Sequence, residues 1–99
     1  MKLTAVDRVV IRNILPQNDT IMVMTIAKDI LDKVSFTQNE IAVLTKGGDT
    51  QISNDKIEAI EVSFSSVEVE VLKEAINKAD KEKKVTLIAL EVFKKIKEL

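Results

Sequence analysis

The sequence predicts an α+β domain: four helices, with a short fifth helical turn, packed around a small antiparallel sheet of two or three strands in the middle of the chain. Three observations predict it. Apolar residues recur at helical spacing in both halves of the chain. Ser or Thr followed three residues later by an acid marks helix starts at Thr4–Asp7, Thr37–Glu40 and Ser65–Glu68. Between these, residues 56–64 alternate with period two, the spacing of a strand.

Each element has its own signal. Leu3, Val6, Val10 and Ile14 form a first helical stripe, with Thr4 as the cap. Ile14-Leu15-Pro16 ends it, because the residue before proline avoids the helical region. Gln17-Asn18-Asp19-Thr20 is turn chemistry, and a second helix runs from Ile21. Its inward stripe is Ile21, Met24, Ala27, Leu31 and Val34, widened by Val23, Ile26 and Ile30. Thr37-Gln38-Asn39-Glu40 opens a short helical turn. The run Ile41-Ala42-Val43-Leu44 that follows can extend the turn or form a strand. Lys46-Gly47-Gly48-Asp49 is the strongest turn signal present. The alternating segment, with Ile60, Val62 and Phe64 on one face, is expected to pair with residues near 42–46 and 50–53. Residues 65–71 alternate as well, but Ser65–Glu68 and the spacing of Val69, Leu72, Ile76 and Ala79 favour a helix over 66–81. A charged turn at 80–84 precedes a last helix capped by Thr86, with Ala89, Leu90, Phe93 and Ile96 inward.

Composition bounds the function. The 99 residues form one domain, 1–99, and 45% are hydrophobic, ample for a core. Fifteen Lys and Arg against sixteen Asp and Glu leave a net charge of −1, so no global field draws in nucleic acid or an anionic membrane. There is no His, Cys, Trp or Tyr, which removes thiol nucleophiles, histidine bases, disulfides and Cys/His metal sites. The only two glycines are adjacent, Gly47 and Gly48, so no phosphate-binding or dinucleotide glycine motif exists. The longest uncharged stretch, residues 20–27, is far below the about 20 residues that span a bilayer. The early charges Lys2, Asp7 and Arg8 do not read as a secretory leader. A cytoplasmic protein without cofactor, metal or catalytic residues is the expectation, with no membrane and no small-molecule ligand.

Several short patterns carry a resemblance. They are Ile14-Leu15-Pro16, the Lys-Val-Ser-Phe-Thr-Gln-x-Glu-Ile pattern at 33–41, Gln-Ile-Ser-Asn at 51–54, Glu-x-Ser-Phe-Ser at 61–65 and Lys-Ala-Asp-Lys-Glu-Lys-Lys at 78–84, before a closing amphipathic helix. In these the chain resembles a loose group of short, uncharacterised proteins of tailed bacteriophages and prophages. The resemblance covers most of the chain. It implies a phage accessory or structural protein, in the host cytoplasm, and brings no assigned activity or functional residues.

Two binding surfaces suggest themselves. The second helix is apolar over more of its circumference than a lone small domain needs, which points to a protein partner or a second copy of the chain, a homo-oligomer, meeting Met22, Val23, Ile26 and Ile30. The alternative is a small DNA-binding regulator with a helix-turn-helix-like element near residues 37–53. Its nucleic-acid contacts would be Thr37, Gln38, Lys81, Lys83 and Lys84. The segment after residue 45 lacks the Arg, Asn or Gln clusters that read base edges, and the lysines alternate with acids, as on a solvated surface. The acids Asp55, Glu58, Glu61, Glu68 and Glu70 also lack the spacing of a calcium loop, and Glu68 has a capping role to fill.

Overall fold

The computed structural model describes residues 1–45 and 57–99. In chain order the elements are β1 (Lys2–Leu3), α1 (Ala5–Ile14), α2 (Ile21–Val34), α3 (Gln38–Thr45), β2 (Ile60–Glu61), α4 (Ser66–Lys81) and α5 (Leu87–Lys97). The class is α+β and mostly helical, with five helices among the described residues.

Every one of these helices starts at a hydroxyl side chain. Thr20 and Thr86 accept hydrogen bonds from the amides of Val23 and Ala89. Thr4, Thr37 and Ser65 form reciprocal boxes with Asp7, Glu40 and Glu68. In each box the hydroxyl satisfies one free amide of the first turn and the acid satisfies the cap's own amide. The α4 terminus is satisfied from the other side. Lys84 N donates to Ala79 O at 2.9 Å and Lys83 N to Asp80 O at 3.1 Å, with Lys83 at φ 57°. These two bonds close a Schellman motif, whose left-handed position glycine usually occupies.

The sheet differs from the expectation. Residues 42–45 are helical, because the Thr37–Glu40 box nucleates α3 and the apolar run simply continues it. Residues 50–53 and the glycine turn lie outside the described residues. The strand reading of 56–64 shortens to β2, whose antiparallel partner is β1, with Lys2 opposite Glu61 and Leu3 opposite Ile60. The sheet therefore joins the N-terminus to the middle of the chain. It is short because Thr4 turns the backbone into α1 immediately after Leu3.

Leu3, Ile11, Ile30, Val34, Val62, Leu72, Ile76, Val92, Phe93 and Ile96 form one core between α1, α2, α4, α5 and the strand pair. Three predicted faces are rotated. In α5 the buried set is Ala89, Val92, Phe93 and Ile96, and Leu90 is exposed at its edge. In α2 the widening residues Val23, Ile26 and Ile30 pack on the core, whereas Ile21 points to solvent. In α1 the buried face centres on Ile11 and takes in Asp7 and Arg8, while Leu3 belongs to β1.

Candidate functional site

An open groove of about 980 Å³ lies where α1, α4 and α5 meet beside the α1–α2 connection. Its lining includes Val10 and Ile14 from α1, Val71, Ala75 and Ala79 from α4, and Ala89 and Phe93 from α5. Alanines at 75, 79 and 89 leave the space between the helices open, because a methyl group cannot fill an interhelical gap. Pro16 ends α1 and sends the chain over one end as Gln17-Asn18-Asp19, which also line the groove. Lys78, Lys81 and Lys84 stand at the end formed by the α4 C-terminus. The lining thus combines an apolar floor with polar edges, the usual character of a binding cleft. It holds carboxylates, amides, ammonium groups and one hydroxyl.

Large apolar side chains are exposed at the first turns of two helices near this groove. Leu87 is 86% exposed, with Ile88 beside it at the start of α5; Ile21 and Met22 are exposed at the start of α2. Thr86, the cap of α5, lines the groove, and so does Asp19, the residue before the α2 cap Thr20. Leu87 and Ile88 also border a smaller cleft with Val6, Asp7 and Lys95.

Buried charge lies elsewhere and is fully engaged. Arg8, 2% exposed, sends Nη1 and Nη2 to the two carboxylate oxygens of Glu40 at 2.7 and 3.0 Å. Its Nε reaches Val34 O at 3.1 Å and Nη2 also reaches Ser35 O at 2.6 Å. The Phe36 ring stacks on it, 4.2 Å from Cζ. Arg8's hydrogen bond holds the Glu40 carboxyl down at about 2, against the opposing effect of burial and with help from the Thr37 amide. Glu68 is likewise lowered: burial pushes it up, and the Lys33 and Ser65 hydrogen bonds outweigh that. Asp7 accepts from Lys95 at 3.0 Å. No buried polar side chain among the described residues lacks a hydrogen-bond partner. The chemistry of this set is anchoring, since each acid holds a helix start and a cation from another element, Asp7 doing so beside the smaller cleft.

The residues expected at a protein interface do not form one exposed face. Met22 is 71% exposed, Val23 and Ile26 are half-buried against the core, and Ile30 is 0% exposed. Of these, Val23 lines the groove. The wide apolar stripe of α2 is explained by its burial on both flanks, leaving only the first turn free. The nucleic-acid candidates fall into two groups. Thr37 and Gln38 are exposed at the start of α3, whereas Lys81, Lys83 and Lys84 are exposed at the α4–α5 turn. Only Lys81 and Lys84 line the groove, and Thr37 and Gln38 do not. Among the acids, Asp55 lies outside the described residues, Glu58, Glu61 and Glu70 are exposed, and Glu68 is buried in its cap. No group of three or more acidic side chains among the described residues is placed to hold a metal ion.

Sequence reasoning missed the groove and the Arg8 cluster. The groove's signal is the set of alanines at 75, 79 and 89 on otherwise bulky helices, which becomes legible only once the helices are placed. Arg8 had a weak signal, an arginine on the apolar side of a short helix. No protein-family model matches the chain, and neither a curated protein nor a solved structure matches it. No helix among the described residues is long and apolar enough to cross a membrane.

Proposed function

We propose that this chain is a non-enzymatic interaction protein that receives a segment of another polypeptide in the groove between α1, α4 and α5. The open, apolar-floored groove of about 980 Å³ is the observation that carries this reading. Along α4 its lining runs from Val71 to Lys81, about 15 Å of helix, enough to seat some three turns of a partner helix. The lining offers no histidine or cysteine, and its carboxylates, Asp19, Glu74 and Glu82, sit at the exposed edges.

A selection from a displayed library of random 16-residue peptides tests it. The expected outcome is enrichment of peptides with apolar residues at helical spacing, whose binding is lost in Ala75→Arg, which fills the groove from α4. Peptides that bind Ala75→Arg as well as the parent chain would end the reading. Because Ala75 is half-buried, Asn13→Trp on the exposed opposite wall serves as the second blocking variant.

A second copy of the chain is the other occupant this surface suits, favoured by the exposure of Ile21, Met22, Leu87 and Ile88. Light scattering over a concentration series separates the two forms. A dimer that Leu87→Lys and Ile88→Lys dissociate supports self-association, and a monomer at all concentrations leaves a different polypeptide as the partner.

A further inference from the structure

Charge at the groove narrows the chemistry of its occupant. Residues 78–99 carry seven lysines against four acids, whereas residues 1–77 carry eight basic residues against twelve acidic ones. The positive charge is therefore concentrated in one stretch, and the fold brings part of it to the groove. Lys78, Lys81 and Lys84 line the same end, where α4 terminates. Lys84 is engaged by Glu82 at 3.1 Å. Lys78 and Lys81 have no ion-pair partner among the described residues and are exposed.

Acids line the groove too, but not in the same way. Glu82 is the partner of Lys84, and Asp19 accepts from the Thr20 amide at 2.7 Å at the α1–α2 connection. Glu74 lies one turn before Lys78 on α4. Among the described residues, Lys78 and Lys81 thus stand unpaired at the C-terminal end of α4, next to the apolar floor, while the unpaired acids Glu74 and Asp19 lie one turn earlier on α4 and at the α1–α2 connection.

We propose that the groove's occupant is an amphipathic segment of a partner protein, apolar on the side facing the floor and carrying acidic residues at the end that meets Lys78 and Lys81. The inference rests on the groove reading. Long lysine stems suit this arrangement, since they cover apolar surface while the ammonium groups reach the partner's carboxylates at the rim. Rim charges of this kind set orientation and speed of association. Nucleic acid fits the same lysines less well. The groove floor offers nothing to a phosphate, Phe93 is too deeply buried for a base to stack on it, and Thr37 and Gln38 lie on a different element outside the groove.

The test uses the peptides enriched by the selection, labelled and titrated by fluorescence anisotropy against three proteins: the parent chain, Lys78→Glu with Lys81→Glu, and Ala75→Arg. The expected result is an excess of Asp and Glu at one end of the enriched peptides, with binding at least tenfold weaker in the double lysine variant and weakening as salt rises. Enriched peptides without excess acid, or unchanged binding in the double variant, would overturn this inference, while loss in Ala75→Arg would still uphold the groove. Equal binding to all three proteins would remove both. A mixed-sequence duplex DNA is titrated in parallel. DNA binding that the double variant abolishes, with no acidic peptide enriched, would overturn the inference and assign the lysines to phosphate. Both lysines are exposed but stand in the last turn of α4, where acids are disfavoured, so the double variant is expected to melt a few degrees below the parent while staying folded at the assay temperature, which a thermal melt checks.

Discussion

Arg8 and Glu40, 32 residues apart, meet in a two-pronged ion pair at 2.7 and 3.0 Å, and the same carboxylate closes the capping box of α3. The pattern recurs twice. Asp7, the capping acid of α1, takes Lys95 of α5, and Glu68, the capping acid of α4, takes Lys33 of α2. Each box therefore sets a helix start and also ties it to a distant element. Of the three cations, Arg8 alone is buried, so its pairing carries the largest consequence.

Arg8→Ala is expected to destabilise the fold by about 3–5 kcal/mol, the usual cost of removing one member of a buried pair. It leaves Val34 O and Ser35 O without their donor and frees the start of α3. Arg8→Lys should recover little of this, because one ammonium cannot reproduce the guanidinium fork. Urea unfolding of the three proteins measures the effect, and a loss below about 1 kcal/mol for Arg8→Ala would show that the cluster is not an anchor.

The same pair sets an acid limit. Arg8's hydrogen bond lowers Glu40 from 4.5 to about 2, so its folded-state value lies below its unfolded one. The stabilisation is then fully present above about pH 4.5 and is lost as pH falls towards 2. Its size is about 3 kcal/mol at most. Glu68 is lowered as well and acts in the same direction. Stability measured against pH should stay level down to about 5 and then fall, and Glu40→Gln should remove part of that slope. An identical slope in Glu40→Gln would contradict the assignment.

Lys83 occupies the left-handed position of the α4 Schellman motif at φ 57°, where a side chain costs energy that glycine does not. Lys83→Gly should stabilise by about 0.5–1 kcal/mol, net of glycine's extra freedom in the unfolded chain, and raise the melting temperature by a few degrees. Calorimetry checks it. A drop in melting temperature would mean that the lysine side chain contributes more than its backbone costs.

Ile30 and Met22 belong to the same expected interface on α2 but not to the same environment. Ile30→Ala is expected to cost about 2–5 kcal/mol, because it opens a cavity in the core. Met22→Ser should change stability by no more than about 0.5 kcal/mol, because the side chain is in water. Chemical denaturation of both variants distinguishes them, and similar losses at the two positions would mean that Met22 is buried in solution by another polypeptide.

The helices were legible because their signals are local. A hydroxyl cap with an acid three residues on satisfies amides within a single turn, so Thr4, Thr37 and Ser65 mark their starts whatever the rest of the chain does. Thr20, Thr86 and Pro16 act at the same range. The lysine-rich turn was visible for the same reason. Strand pairing, by contrast, depends on which segment arrives beside the strand. The alternation around Ile60 showed a strand without showing that Leu3, 57 residues away, would be its partner. Which way each stripe turns is also a tertiary outcome. Helical spacing put Ile21 and Ile30 on one broad apolar face, and packing of α2 against α4 and α1 buried one and left the other in water.

The groove belongs to the same category. Sequence alone determined where the helices begin, the lack of histidine and cysteine chemistry, and the clustering of lysines towards the C-terminus. Only the tertiary structure decided that Ala75, Ala79 and Ala89 face a common space, that Lys78 and Lys81 stand at its edge, and that Arg8 is enclosed by α1, α2 and α3. Capping is settled within one helical turn, whereas a groove is the space left between helices and exists only when all of them are in place.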